Sequence, residues 1–156
     1  MSRAARKLPD GLLTPQHQEH SEDELRRGVG RRNYVRFSPP RELPELSCTA
    51  QVTGLSDWRT ARRVVADIGI GGVSAWLSPR ELDQVVIGDK VYVELYLPCR
   101  GFILTGLAVH RRVMPGAYWT RRVLGVSFLD SPDLRLARGE LVDYLLELRE
   151  VGAEAT

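Results

Sequence analysis

Lysine is nearly missing from this chain: Lys7 and Lys90 are the only two among 22 basic residues, so arginine carries the positive charge. A large excess of either sign is also lacking, because 20 acidic residues reduce the formal net charge to +2. That balance argues against the polycationic surface of a non-specific nucleic-acid binder, yet leaves room for a local anion site made of arginine pairs. Cysteine is limited to Cys48 and Cys99, which form no CxxC pair and are expected as reduced thiols in or near the core. Histidine occurs only at 17, 20 and 110, too scattered for a recognisable metal motif, and neither cysteine has a sequence-defined base. Neither an enzyme nor a cofactor is expected. Long apolar runs and an apolar signal segment are absent too, so the expectation is no membrane insertion and a cytoplasmic location.

What the chain does have is 156 residues, 43% of them hydrophobic, enough for the core of one domain. Residues 1–29 show no convincing period and include Pro9 and Pro15, which suggests a flexible N-terminal segment. Within it, Ser21 and Glu24 have the spacing of a capping box for a short helical turn, with Gly28 and Gly30 to end it. The folded domain is placed at 30–150, followed by a tail at 151–156.

Strand patterns fill the domain. Ser47–Thr53, Arg62–Ile68 and Gly72–Leu77 are short candidates separated by turn residues. In Lys90–Leu97, Val91, Val93, Leu95 and Leu97 share one face while Tyr92, Glu94 and Tyr96 share the other, the two-residue period of a half-buried antiparallel strand. Gly101–Val113 and Tyr118–Leu129 follow, joined at Met114, Pro115 and Gly116. Six short strands without a strand-helix-strand rhythm favour a small barrel or sandwich. The period then changes. Ser131 suits an N-cap and Pro132 the first helical position; Leu134, Ala137, Leu141, Leu145 and Leu148 recur on one helical face, to pack on the barrel or against another subunit.

Two clusters carry the chemistry. In Arg31-Arg32-Asn33-Tyr34-Val35-Arg36-Phe37, an extended backbone points Arg32 and Arg36 to the same side, where both can engage one polyanion. Tyr34 and Phe37 are expected to anchor the segment. The second cluster is Asp67-Ile68-Gly69-Ile70-Gly71-Gly72. Asp67 can accept hydrogen bonds from the edge of a guanine, while the glycines allow a tight bend and a close backbone approach.

Together the clusters resemble the PilZ family, whose members include receptors for cyclic di-guanylate. The family pattern is RxxxR followed by D/NxSxxG, matched here by Arg32 to Arg36 and by Asp67 to Gly72; the likeness runs from about Gly30 to Leu148 and includes Gly125-Val126-Ser127-Phe128. It implies a six-stranded antiparallel β-barrel with a C-terminal α-helix. It also implies that Arg32 and Arg36 engage phosphates and guanine surfaces, that Asp67 reads a guanine edge and that Gly72 shapes the turn. Arg31 is an auxiliary contact or faces water. Gly69 stands where the family has serine, removing a hydroxyl; an uncompensated loss of this kind costs about 1–3 kcal/mol. The resemblance implies a non-catalytic second-messenger receptor in bacterial signalling that acts on a downstream protein, with a homodimer as one arrangement. The alternative is a PilZ-like interaction domain that no longer binds nucleotide.

Overall fold

The computed structural model describes Glu22, Leu25, residues 34–115 and residues 120–155. Nine strands are present among these residues: β1 (Phe37–Ser38), β2 (Thr49–Gly54), β3 (Trp58–Arg59), β4 (Arg63–Ile68), β5 (Gly72–Trp76), β6 (Lys90–Leu97), β7 (Arg100–Pro115), β8 (Thr120–Phe128) and β9 (Glu154–Ala155). Two α-helices accompany them, α1 (Pro79–Gln84) and α2 (Pro132–Glu150). The strands run in the order β3-β2-β6-β7-β8-β5-β4-β1-β9, and a further pairing of β2 with β4 closes six of them into an antiparallel barrel. Closure removes two sheet edges that would otherwise seek partners.

Alternation decides which side chains enter the barrel. Along β6, Val91, Val93, Leu95 and Leu97 are all buried, as their period predicts. Neighbouring strands add Ala50 and Val52 from β2, Leu104 and Ala108 from β7, and Leu124 and Val126 from β8. The long β7–β8 hairpin continues β7 to Pro115, two residues past the expected end at Val113; the rest of its expected turn, together with Tyr118 and Trp119, lies outside the described residues.

Helix α2 starts where the sequence places it. Ser131 Oγ accepts a hydrogen bond from Leu134 N at 3.1 Å, and Pro132 occupies the first turn, where its missing N–H costs nothing. The five expected face residues are all buried, with Val142 and Tyr144 beside them, so within this chain the face is covered by the barrel. The Tyr144 hydroxyl donates to Leu46 O at 2.7 Å and ties the helix to a single 3-10 turn at Pro44–Leu46. Residues 151–155 turn back at Gly152, where φ is 77°, and β9 then pairs antiparallel with β1, Phe37 opposite Ala155 and Ser38 opposite Glu154.

The two thiols part company. Cys48 is buried, and burial pushes its pKa up to about 12. Cys99, expected in or near the core, is exposed, because it sits in the turn between β6 and β7 and not on an inward strand position. Among the described residues, no helix is long and apolar enough to cross a membrane, and no group of His, Cys, Asp and Glu is arranged to hold a metal.

Candidate functional site

Arg36 reaches the site because the chain on either side of it is fixed. On one side, Val35 N donates to Leu25 O at 2.7 Å, and the Leu25 side chain is fully buried in the core. Glu22, whose carbonyl accepts from Leu25 N, has its carboxylate 3.2 Å from Arg138 Nε on α2. On the other side, Phe37 is buried and pairs with Ile68 of β4. The backbone of residues 35–37 therefore lies against the β4–β5 hairpin. Arg31 and Arg32 lie outside the described residues, as do Ser21 and Glu24.

The hairpin supplies the acceptors. Asp67 and Ser74 are direct partners across β4 and β5, next to an irregularity between Val65 and Asp67. Arg36 Nη1 donates to Asp67 Oδ1 at 3.0 Å and to Ser74 Oγ at 3.1 Å. The Arg36 and Asp67 side chains are only 13% and 16% exposed, so this ion pair is less screened than a surface pair. Ser74 is wholly buried, and the guanidinium is a hydrogen-bond donor to its hydroxyl there. Sequence reasoning misses Ser74. Its one sequence signal is position: a hairpin centred on Ile70 and Gly71 puts residue 74 across from residue 67.

The glycines let two segments touch. Gly69 N donates to Gly72 O at 2.9 Å, closing the hairpin turn, and Phe128 N donates to Gly71 O at 2.9 Å, joining it to β8. A β-carbon on Gly69 would lie 2.7 Å from Val35 O and 3.1 Å from Arg36 Cγ. One on Gly72 would run into Val126 O and lie 2.6 Å from Arg36 Nη2. The Tyr34 ring covers Gly71, with Cδ2 3.2 Å from where a β-carbon would be. Gly69 and Gly72 are thus required by proximity to backbone oxygens and not by a positive φ, while at Gly71 only the Tyr34 ring would have to give way. At Gly69 the missing hydroxyl is accompanied by the space that the Arg36 segment fills.

Chemically, the arrangement presents a guanidinium held beside a carboxylate, over a turn in which only Ile70, buried in the core, carries a side chain. A guanidinium offers five donors, and Asp67 and Ser74 engage one nitrogen of the Arg36 group. Its remaining donors and its flat face suit a phosphate oxygen or a planar base.

No protein-family model matches the sequence, and no curated protein matches it. Solved structures do. The PilZ domain of YcgR from Escherichia coli with c-di-GMP is 22% identical, with a TM-score of 0.56 over 78% of this chain and 96% of that one. The MrkH–c-di-GMP complex of K. pneumonia is 16% identical, with a TM-score of 0.62, covering 78% of this chain and 56% of that one. The inhibitor of motility MotI/DgrA of Bacillus subtilis is 15% identical, with a TM-score of 0.58 over 80% of this chain and 54% of that one. The chain spans nearly all of the isolated YcgR domain and little more than half of the other two proteins. At such identities the likeness is one of architecture: the six-stranded barrel with its C-terminal helix is a PilZ-like fold.

Proposed function

We propose that this chain is a non-catalytic regulatory domain that binds cyclic di-guanylate at the Arg36–Asp67 hairpin and alters the docking of a protein partner. The observation that carries the proposal is the Arg36 guanidinium held at 3.0 Å from Asp67, directly over the Gly69–Gly72 turn. Arg36 and Asp67, one residue from each half of the sequence pattern, thereby meet across 31 positions, which supports reading the two halves as one site. In this reading Arg36 and Arg32 take up phosphate and guanine faces, Arg31 assists, and Asp67 accepts from a guanine edge. Gly69 and Gly72 let the Arg36 segment lie close against the hairpin. Four of the solved structures of similar fold, of three proteins, are described with c-di-GMP bound, which supports the ligand class.

Isothermal titration of the full chain with cyclic di-guanylate tests the proposal and reports stoichiometry at the same time. Heat that saturates, and that largely disappears when Arg32 and Arg36 are both replaced by alanine, is the expected outcome. A folded protein that gives no binding heat at high micromolar ligand overturns it.

A second reading has its own observation. One nitrogen of Arg36 is already engaged within the chain by Asp67 and Ser74, and Gly69 lacks the motif hydroxyl. A PilZ-like domain of this kind can serve as a protein-docking module without nucleotide. Capture of the same partner with and without nucleotide, and after loss of Arg32 and Arg36, supports this reading; a nucleotide-dependent partner set counts against it.

A further inference from the structure

The segment between β1 and β2 cannot add itself fully to the sheet. Pro39, Pro40 and Pro44 have no amide hydrogen, so it passes β4 with gaps in its series of donors. On that side β4 pairs with β2 at Arg63 and Val64 and with β1 at Ile68. Beside this stretch the structure leaves a groove of about 550 Å³, lined by Pro39, Pro40 and Pro44 of the segment, Val64 and Val65 of β4, and Trp76 and Leu77. A second hollow of about 410 Å³ shares Pro39, Pro40, Arg41, Val64, Val65 and Trp76 with it, adds Glu42 and extends to Val151–Glu154. Neither includes Arg36, Asp67 or the glycine turn.

The first groove has the size of a small-molecule site, which typically encloses roughly 300–1,000 Å³. Its lining is apolar where it is deepest, at the buried Cys48, Val65 and Leu77, and Val64 adds an exposed apolar side chain. Three arginines line it, and no carboxylate does. Their states differ. Arg63 is neutralised by Glu81, 2.7 Å away. Arg62 is held in place, its Nε donating to Thr49 Oγ1 at 2.7 Å and its guanidinium carbon 3.9 Å from the centre of the Tyr96 ring, yet it has no ion pair among the described residues. Arg41 is exposed and also has none among them.

Two guanidinium groups without an ion pair among the described residues, beside an apolar trough, suit a ligand with matching halves. We propose that this groove binds a small amphipathic anion, with its apolar body on Cys48, Val65 and Leu77 and a carboxylate or phosphate head directed to Arg41 and Arg62. Arg62 is the stronger head-group residue, because its stacking on Tyr96 and its bond to Thr49 leave little rotamer freedom to be lost on binding. The site shares no lining residue with the nucleotide site, so the two readings stand or fall separately.

The probe is 8-anilinonaphthalene-1-sulfonate, which joins an aromatic body to a fixed negative charge. It is titrated into the full chain by fluorescence, with decanoate and decyl phosphate as competitors that distinguish a carboxylate from a phosphate head. The expected result is saturation at one probe per chain, with displacement by at least one competitor. Arg62→Ala and Val64→Glu should each weaken binding about tenfold or more, the second by placing a like charge in the trough of an anion site. Val64 is 57% exposed, so the change leaves the core intact. Ile103→Glu, at an equally exposed apolar position on β7, should leave binding unchanged. Non-saturating fluorescence, failure of both competitors, or a folded Val64→Glu protein that binds like the parent overturns the proposal.

Discussion

Asp67 and Ser74 stand opposite each other on the β4–β5 hairpin, and both accept a hydrogen bond from the same nitrogen of Arg36. The site's cation is therefore aimed before any ligand arrives. Arg36→Ala leaves Asp67 without its charge partner and the buried Ser74 hydroxyl without its guanidinium donor, and it should lower unfolding stability by about 1–3 kcal/mol. The double variant Arg36→Ala/Asp67→Ala should be no less stable than the single one, since the orphaned carboxylate is gone. Chemical denaturation of both variants measures the difference; additive losses would show that the pair is not coupled.

The close approach of Gly69 to Val35 reverses what the motif alone suggests for a serine at this position. Restoring the hydroxyl should strengthen nucleotide binding if the serine were merely missing. The structure points the other way, since any β-carbon there meets Val35 O at 2.7 Å and must shift the Arg36 segment away from the hairpin. Gly69→Ser and Gly69→Ala should both destabilise the protein, by about 1–3 kcal/mol as in other overpacked sites, and both should weaken cyclic di-guanylate binding. Titration of the two variants against the parent decides the sign, and tighter binding by Gly69→Ser would refute the proximity argument.

Much of the barrel is legible in the sequence because its longer strands state their faces locally. Lys90–Leu97 alternates over eight residues and needs no knowledge of its partners. Strands β1, β3 and β9 are two residues each, and no periodicity can appear in so short a run; β1 exists because Phe37 meets Ile68 and Ala155 from distant parts of the chain. Helix α1 does carry a local signal, the capping box of Ser78 and Glu81, but only Leu82 is buried along its six residues, so no apolar face announces it. The site divides in the same way. Arg36 and Asp67 can be picked out by residue type and spacing, whereas their contact, the role of Ser74 and the need for Gly69 depend on the register of one hairpin.

The two cysteines offer a test of burial. Desolvation raises Cys48 to about 12, so almost no thiolate forms there at mildly alkaline pH. Cys99 is exposed in its turn. Iodoacetamide at pH 8 should therefore add one label to the native protein, at Cys99, and a second only after denaturation. Peptide mass mapping reads the sites, and Cys99→Ser should leave the native protein unlabelled.

Glu81 is the group whose titration should be felt in stability. Burial raises its pKa, but this is outweighed by hydrogen bonds from Ser78 N and Ala61 N and from the side chains of Arg63 and Ser78, so the carboxyl ends below its ordinary value. Its Oε2 accepts from Ala61 N at 2.6 Å and its Oε1 from Arg63 Nε at 2.8 Å, pinning α1 to the start of β4. A folded-state pKa lower than the unfolded one means that the contribution is fully present above the unfolded value and is lost as pH falls through the folded one. Glu81→Gln should therefore lower the melting temperature at neutral pH. The gap to the parent should close progressively below the ordinary carboxylate range, where the parent also carries a neutral side chain at 81. Melting curves from pH 7 down to pH 3 measure this, and a gap that stays constant across the series would mean that packing, not charge, gives Glu81 its effect.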